Sequence, residues 1–436
     1  MSPFATESTR LPRPAPARVL ALGAFLKNRA CVLVGDEVVW SPLHGDLGTP
    51  AACAALAGSA EALLEVAAAR SASGSGTGSG DGPIDAIAHD LHPDFFSTRL
   101  ALEMAARLGV PALAVQHHHA HLAVVQAEQG WGSAPDAPPV VGLALDGVGL
   151  GSDHTAWGGE VLCVRGATFT RTAHLPPLAL PGGDIAAREP WRLVAAVLHA
   201  AGRNGEIEPR LAPRVGVALA RGVATMLARD LNCPRTTSAG RWFDAAAGAL
   251  GLSTRQATEA EAAQALEAAA AAWLGQGGPA RLRALRDTTP GTLDLVPLVA
   301  SLLDVVGDVS DAMGDVARDG TGDGEGARAT IAASRGHGAA RFHVALAQGL
   351  VAAAARAAAE AGTREVALGG GCFFNRLLGS EIEDGLAAAG LRPWRPRTAS
   401  VGDAGLALGQ AWAAALRLRA PDPSPATPEP ALAEET

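Results

Sequence analysis

Tyrosine is absent from this 436-residue chain, and lysine is scarce beside arginine. With alanine abundant, that bias reads as the mark of a GC-rich genome rather than of a function. Cysteine is also sparse: Cys31, Cys53, Cys163, Cys233 and Cys372 are odd in number, widely spaced and include no C-x-x-C pair. Such usage argues against a disulfide framework or a zinc finger and fits a reducing compartment. The net charge is −9 and no basic stripe is present, so no nucleic-acid partner is expected. The N-terminal "MSPFATESTRLPRPAPAR" lacks an apolar core of signal-peptide length. No window approaches about eighteen consecutive apolar residues free of glycine or charge. The expectation is a cytoplasmic protein with no membrane association. Also missing are the G-x-x-x-x-G-K-[ST] phosphate loop and the dinucleotide fingerprint, which argues against those two enzyme classes, and no G-x-S-x-G elbow is present.

What is present divides the chain. Its length predicts two or three packed lobes. "SASGSGTGSGDG" (71–82), "DGTGDGEGA" (319–327) and the tail 420–436 are too poor in apolar residues to order themselves and read as loops or disorder, as does the segment 1–17. "GSAPDAPP" (132–139) separates two segments that begin alike. "RVLALGAF" (18–25) leads into "ACVLVGDEVVWS" (30–41), with Gly35-Asp36 as a hairpin turn. "VVGLALDGVGLG" (140–151) leads into "AWGGEVLCVRGATFTRTA" (156–173), with Arg165-Gly166 in the turn. Each then continues into helices, including 52–69, 98–108 and 341–361. The pattern predicts an α/β fold of the duplicated, two-lobed actin/Hsp70-like (ASKHA) kind, with lobes at 18–135 and 140–419. A largely helical insertion is expected in the second lobe at about 185–330, where Ala/Leu/Glu periodicity replaces the strand signal.

"VQHHHAHLA" (115–123) places four histidines at the start of a helix that should run to Gly130. His117 and His121 are i and i+4 and can share one divalent metal; His118 and His121, at i and i+3, also share a face, so spacing leaves both pairs open. Further ligands would be carboxylates. Asp146 in "LALDGVGLG" and Asp403 in "SVGDAGLALG" each follow an extended stretch and open a glycine-bearing turn, where an interlobe site gathers ligands. Four glycine clusters form a second constellation: "DGVGLGS" (146–152), "AWGGE" (156–160), "LPGGD" (180–184) and "ALGGGCFFN" (367–375). Their bare backbone amides would suit phosphate oxygens. Cys372, at the head of a helix, reads as a packing cysteine more readily than as a nucleophile.

In order, "GAFLKN" (23–28), "HGDL" (44–47), "AHDLHPDFFSTRLA" (88–101), "VQHHHAHLA", "LALDGVGLG", "AWGGEVL" (156–162), "LPGGDIAAREPWR" (180–192), "SAGRWFDAAAGALG" (238–251), "EAEAAQALE" (259–267), "ARFHVALA" (340–347), "GGGCFFNRLL" (369–378) and "GDAGLALGQAW" (402–412) resemble the carbamoyltransferase part of the hydrogenase maturation family HypF, over nearly all of the chain from Arg18 to Leu416. The resemblance implies transfer of a carbamoyl group, drawn from carbamoyl phosphate and ATP by way of carbamoyl-adenylate, to the C-terminal cysteine of HypE. That step lies on the route to the cyanide ligands of nickel-iron hydrogenase. It implies a divalent metal, iron or zinc, on His117, His121, Asp146 and Asp403. Nucleotide contacts are implied at Gly158, Gly159, Gly182, Gly183, Asp184, Gly370, Gly371 and Asn375, with Glu189 and Arg192 in the same block. No catalytic base is assigned: His118 or His119 could serve, with His119 better read as a surface residue. The acylphosphatase, zinc-finger and adenylate-forming portions of the family are expected to be supplied elsewhere. The family's "SGG", "VFQN" and N-D-G-G read "GGG", "CFFN" and "GDAG" here. Rival readings are a small-molecule O-carbamoyltransferase and a non-catalytic scaffold that docks HypE.

Overall fold

The computed structural model describes residues 7–72, 82–134, 137–305 and 324–419. The apolar run around Val19 becomes the centre of a first sheet. β2 (Val19–Ala21) pairs antiparallel with β3 (Cys31–Val34), which turns at Gly35-Asp36 into β4 (Glu37–Trp40). On its other side β2 pairs parallel with β5 (Ala86–Asp90), and β5 with β6 (Ala112–Val115). β1 (Glu7–Arg10) adds an antiparallel edge to β4, so this part of the segment expected to be disordered is a strand. Parallel pairs need long crossovers, and α1 (Pro50–Ala72) and α2 (Phe96–Leu108) supply them. Their residues Leu56, Leu63, Ala101 and Met104 pack under the sheet.

The second sheet repeats this order. β7 (Val140–Leu150) pairs antiparallel with β8 (Ala156–Arg165), which pairs with β9 (Thr168–His174) across Gly166-Ala167. β7 also pairs parallel with a strand from far along the chain, Glu365–Gly369, which pairs parallel with Arg392–Trp394. Counted from β2 in one sheet and from β7 in the other, and leaving aside the short flanking strands, third, second, first, fourth, fifth is the order in both. Between the third and fourth strands lie the short β10 (Leu178–Ala179) and β11 (Arg235–Thr236) and a helical mass. Its members are α4 (Asp184–Arg188), α5 (Pro190–Ala200), α6 (Ile207–Val215), α7 (Val217–Ala228), α8 (Ala239–Ala249), α9 (Glu261–Gly275), α10 (Gly278–Thr288) and α11 (Val296–Val305). α12 (Gly324–Ala361) begins inside the loop expected at 319–327, because Ala- and Arg-rich sequence follows the glycines and favours helix. The strands Glu365–Gly369 and Arg392–Trp394 are β12 and β13, with α13 (Arg376–Ala388) between them. α1 and Arg328–Ala361 of α12 are long and apolar enough to cross a membrane, yet both pack apolar residues into the core clusters. The rest of "SASGSGTGSGDG" and the tail from 420 lie outside the described residues.

Two helices join the sheets. α3 (His117–Gln129) is buried on every side, from His117 through Ala127, enclosed by other elements even though it carries four histidines. Ala120, Ala123 and Val124 face one core cluster, while Leu122 and Val125 face another with Val140, Ala144 and Leu162. Burying Leu122 and Val125 contributes about 1.5–3 kcal/mol each, which outweighs the few tenths that valine costs a helix, roughly 0.7 kcal/mol at most. α14 (Leu406–Arg419) packs on α3 and on β2, β3 and β5. Its Gln410 accepts a hydrogen bond from Gly23 N–H at 2.9 Å, and Trp412 donates to the Trp131 carbonyl at 3.1 Å. Drawing the second lobe as 140–419 therefore misplaces this helix: it follows the second sheet in sequence but covers the first.

Candidate metal centre and adjoining cleft

Gln116 caps α3, its side chain accepting from His119 N–H at 2.8 Å, and this fixes the first turn that carries the histidines. All four rings are buried. His117 and His121 turn toward β7 and the 3-10 turn Asp403–Gly405 that precedes α14. One ligand atom each from His117, His121, Asp146 and Asp403 lies within 4.8 Å of every other. His117 Nε2 is 3.1 Å from Asp146 Oδ2 and 3.6 Å from Asp403 Oδ1; His121 Nε2 is 3.3 and 3.4 Å from the same two atoms. Asp146 lies within β7, where the register with β8 shifts between Leu145 and Gly149, rather than in a free turn. A Cβ at Gly149 would lie 2.7 Å from the His118 ring and 2.8 Å from the His117 ring, so glycine there lets the strand approach the histidines.

Charge in the cluster is balanced by position. Burial alone would favour the neutral rings, but Asp90, Asp146 and Asp403 raise His117 well above the ordinary histidine value. Against the same burial, Asp146 and Asp403 raise His121. Burial works against the Asp146 carboxylate too, yet the two rings hold it well below the usual range. His117 Nδ1 lies 2.8 Å from Asp90 Oδ2, with both groups nearly inaccessible to water. That contact occupies Nδ1 and leaves Nε2 facing the other three ligand atoms. Two imidazoles and two carboxylates with one ring braced by an outer carboxylate form a donor set that suits a divalent transition metal.

The remaining histidines are sorted by packing. His118 sits against Trp157, its Nδ1 3.0 Å from Gln116 Nε2, and burial and His117 hold its pKa well below the ordinary value. His119 is not a surface residue. It is buried beside Phe169, its Nε2 has no hydrogen-bond partner, and burial lowers its pKa to about 4.

A cleft of 660 Å³ opens beside Asp146, lined from the first lobe by Lys27 and from the second by Gly147, Arg241, Asp244, Glu259, Gly371, Cys372 and Asn375, among others. Gly371 N–H donates to Asp146 Oδ1 at 3.0 Å and couples cleft to cluster. A Cβ on Gly370, whose φ is +105°, would lie 2.3 Å from the Leu145 carbonyl. Asn375 caps α13, accepting from Leu378 N–H at 2.9 Å, and its Nδ2 donates to His343 Nε2 at 2.9 Å. His343 Nδ1 in turn donates to the Ala339 carbonyl. Burial keeps that ring neutral, with a pKa of about 4.

The glycine amides proposed for phosphate are already engaged. Gly158 and Gly159 donate to Glu160 Oε1 at 3.1 and 3.2 Å, Gly182 to the Asn232 carbonyl, Gly183 to that of Leu180, and Gly370 to that of Val401. Of the eight nucleotide positions only Gly371 and Asn375 line the cleft; Gly158, Gly159, Gly182, Gly183, Gly370 and the exposed Asp184 do not. Glu189 accepts from Arg192 Nε at 2.6 Å, while Arg192 Nη1 reaches the Pro181 carbonyl, which pins the 181–192 turn. Cys372 lines the cleft, but burial and the Asp146 carboxylate push its thiol well above its ordinary value, opposite to what a nucleophile needs. Sequence reasoning missed Lys27, Asp90, Arg241 and Glu259 as site residues. Asp90 and Lys27 stood inside recognisable motifs, without any spacing rule to assign them roles.

These features define a class: a two-sheet α/β protein with a candidate metal centre and a polar cleft side by side. The family described as "HypF Kae1-like domain" matches residues 14–128, and "Carbamoyltransferase, Kae1-like Domain, second subdomain" matches 142–322 and 326–410. The chain belongs to the HypF family of carbamoyltransferases. It is similar to the "Carbamoyltransferase HypF homolog" of Cupriavidus necator, 53% identical over 400 residues that cover 92% of each chain. It is also similar to "Carbamoyltransferase HypF2" of the same organism, 42% identical over 95% of this chain and 48% of that one. The crystal structure of T. kodakarensis HypF superposes with a TM-score of 0.72 at 28% identity, over 96% of this chain and 49% of that one. The chain thus spans nearly all of one relative and about half the length of the others.

Proposed function

We propose that the chain passes a carbamoyl group from carbamoyl-adenylate, made from carbamoyl phosphate and ATP, to the C-terminal cysteine thiol of HypE during nickel-iron hydrogenase maturation. The observation that carries this reading is the junction of cluster and cleft at Asp146, whose carboxylate meets two histidines on one side and the cleft-lining Gly371 amide on the other. The strand order repeated in both sheets supports an actin/Hsp70-like (ASKHA) duplication. The reading carries with it a cytoplasmic setting without a membrane or nucleic-acid partner.

Iron or zinc would be held by His117, His121, Asp146 and Asp403, since imidazole and carboxylate ligands accept both. When bound, the ion supplies Lewis-acid polarisation of an oxygen on the acyl donor. Asp90 orients the His117 ring, and the Gly371 amide orients Asp146. Asn375, locked between α13 and His343, gives the cleft a rigid polar wall. In the transfer, the thiol sulfur bonds to the carbamoyl carbon while the carbon–oxygen bond to phosphate breaks. AMP leaves with that electron pair and the thiol proton passes to water.

Mass spectrometry of HypE after incubation with the purified protein tests the proposal. One carbamoyl group is expected on the C-terminal cysteine when carbamoyl-adenylate is supplied. Transfer to a small hydroxyl compound instead, or none to any acceptor, overturns it.

A further inference from the structure

Lys27 is the only lysine among 35 basic residues. It stands in the loop between β2 and β3 and lines the cleft from the first lobe. Its φ of +44° lies in the left-handed region that side-chain-bearing residues avoid. A hydrogen-bond network that runs from the surface into the core maintains it. Lys27 N–H donates to Asp46 Oδ1 at 2.9 Å, and Asn28 Nδ2 donates to the Leu22 and Ala24 carbonyls at 2.8 and 2.6 Å. The His44 ring bridges Asn28 Oδ1 and Ser59 Oγ, at 2.8 Å from each. Backbone strain held in place this way is typical of functional loops.

Opposite stands Glu259, followed by Ala260 with φ +62°, so two of the five non-glycine residues with positive φ among the described residues meet at this cleft. Lys27 Nζ lies 2.9 Å from Glu259 Oε2, with both side chains about half exposed. Arg241 is the other cation lining the cleft, and it pairs at 2.9 Å with Asp244, which is almost wholly buried. Withdrawing Arg241 would strand a buried carboxylate, which is costly. Withdrawing Lys27 from Glu259 returns an exposed carboxylate to water, which costs little. A compact ammonium with three donors also suits phosphate oxygens.

We propose that Lys27 binds the phosphoryl oxygens of the acyl donor, and that Glu259 holds it in place until the donor enters. The inference rests on the reading of the cleft as a nucleotide site. AMP and adenosine, differing by the phosphate, serve as probes for calorimetry on the full chain. Lys27→Met should weaken AMP by about ten- to a hundredfold, and leave adenosine unchanged. Lys27→Arg should recover most of that loss, and Glu259→Gln should tighten AMP by up to about fivefold. Because Lys27 is the sole lysine, amine acetylation followed by peptide mass reads its accessibility in the wild-type protein: AMP should protect it and adenosine should not. Equal loss of both ligands in Lys27→Met, or acetylation unaffected by bound AMP, overturns the proposal. Wild-type protein that binds neither AMP nor adenosine removes the nucleotide reading itself.

Discussion

In the cluster, none of the four side chains is more than 14% exposed, and His117 and Asp146 each have a further partner, the buried Asp90 and the partly buried Gly371 amide. In the neighbouring cleft Lys27 and Glu259 are 52% and 51% exposed, and among the described residues their side chains pair with each other across the gap. The first region is set before anything binds, since moving one ligand would unpair several buried groups. The second can exchange partners at little cost. Fixed cluster and adaptable cleft meet at Asp146, so a donor that rearranges the cleft does so against an immobile edge.

Removing a cluster ligand should have the largest effect. His117→Ala or Asp146→Ala is expected to abolish stoichiometric iron or zinc binding, measured by equilibrium dialysis with elemental analysis; full binding by either variant would mean the cluster is not a metal site. Asp90→Ala should lower metal affinity by about 10–100-fold while the far-ultraviolet circular dichroism is retained. An unchanged affinity would show that the cluster does not depend on its outer brace.

Asn375→Ala should destabilise the fold by about 0.5–2 kcal/mol in urea melts through loss of the α13 cap, a cost borne at the rigid side of the cleft. His119→Leu should leave metal binding intact, unlike His117→Ala, and should also alter the acid response. His44, His119 and His343 have pKa values lowered to about 4 from 6.5, so the folded state binds fewer protons than the unfolded state between those limits. The contribution of these three rings to stability is therefore full above about 6.5 and is lost as pH drops toward about 4. Losing His119 should narrow the difference between urea midpoints at neutral and mildly acid pH. The smallest effect belongs to Asp184→Ala, exposed and outside the cleft: AMP affinity is expected to stay within about twofold, less than a surface pair contributes.

Much of this was legible in the sequence where a local period carries the information. The i, i+4 spacing offered His117 with His121, the two hairpins announced the sheets, and Gly130 ended α3 where expected. Spacing could not separate His117 from His118, because β7 and the Asp403 turn decide which ring faces the carboxylates. The glycine turns meet a related limit. Glycine spacing reports backbone freedom, but whether its N–H is available depends on distant partners such as Glu160, Asn232 and Val401. The bond from Asp90 to His117 and the return of α14 to the first sheet are likewise tertiary facts without a sequence period.

That return carries Asp403 with it, and so makes the site a long-range contact in folding. Asp146 belongs to a strand whose parallel neighbour β12 arrives only after the whole helical mass, and Asp403 follows later still. Long-range closures form slowly and late. The histidines and Asp146 can collapse together early, but Asp403 waits for α14 to dock. A fully assembled centre is thus a report that the two halves of the chain have found each other.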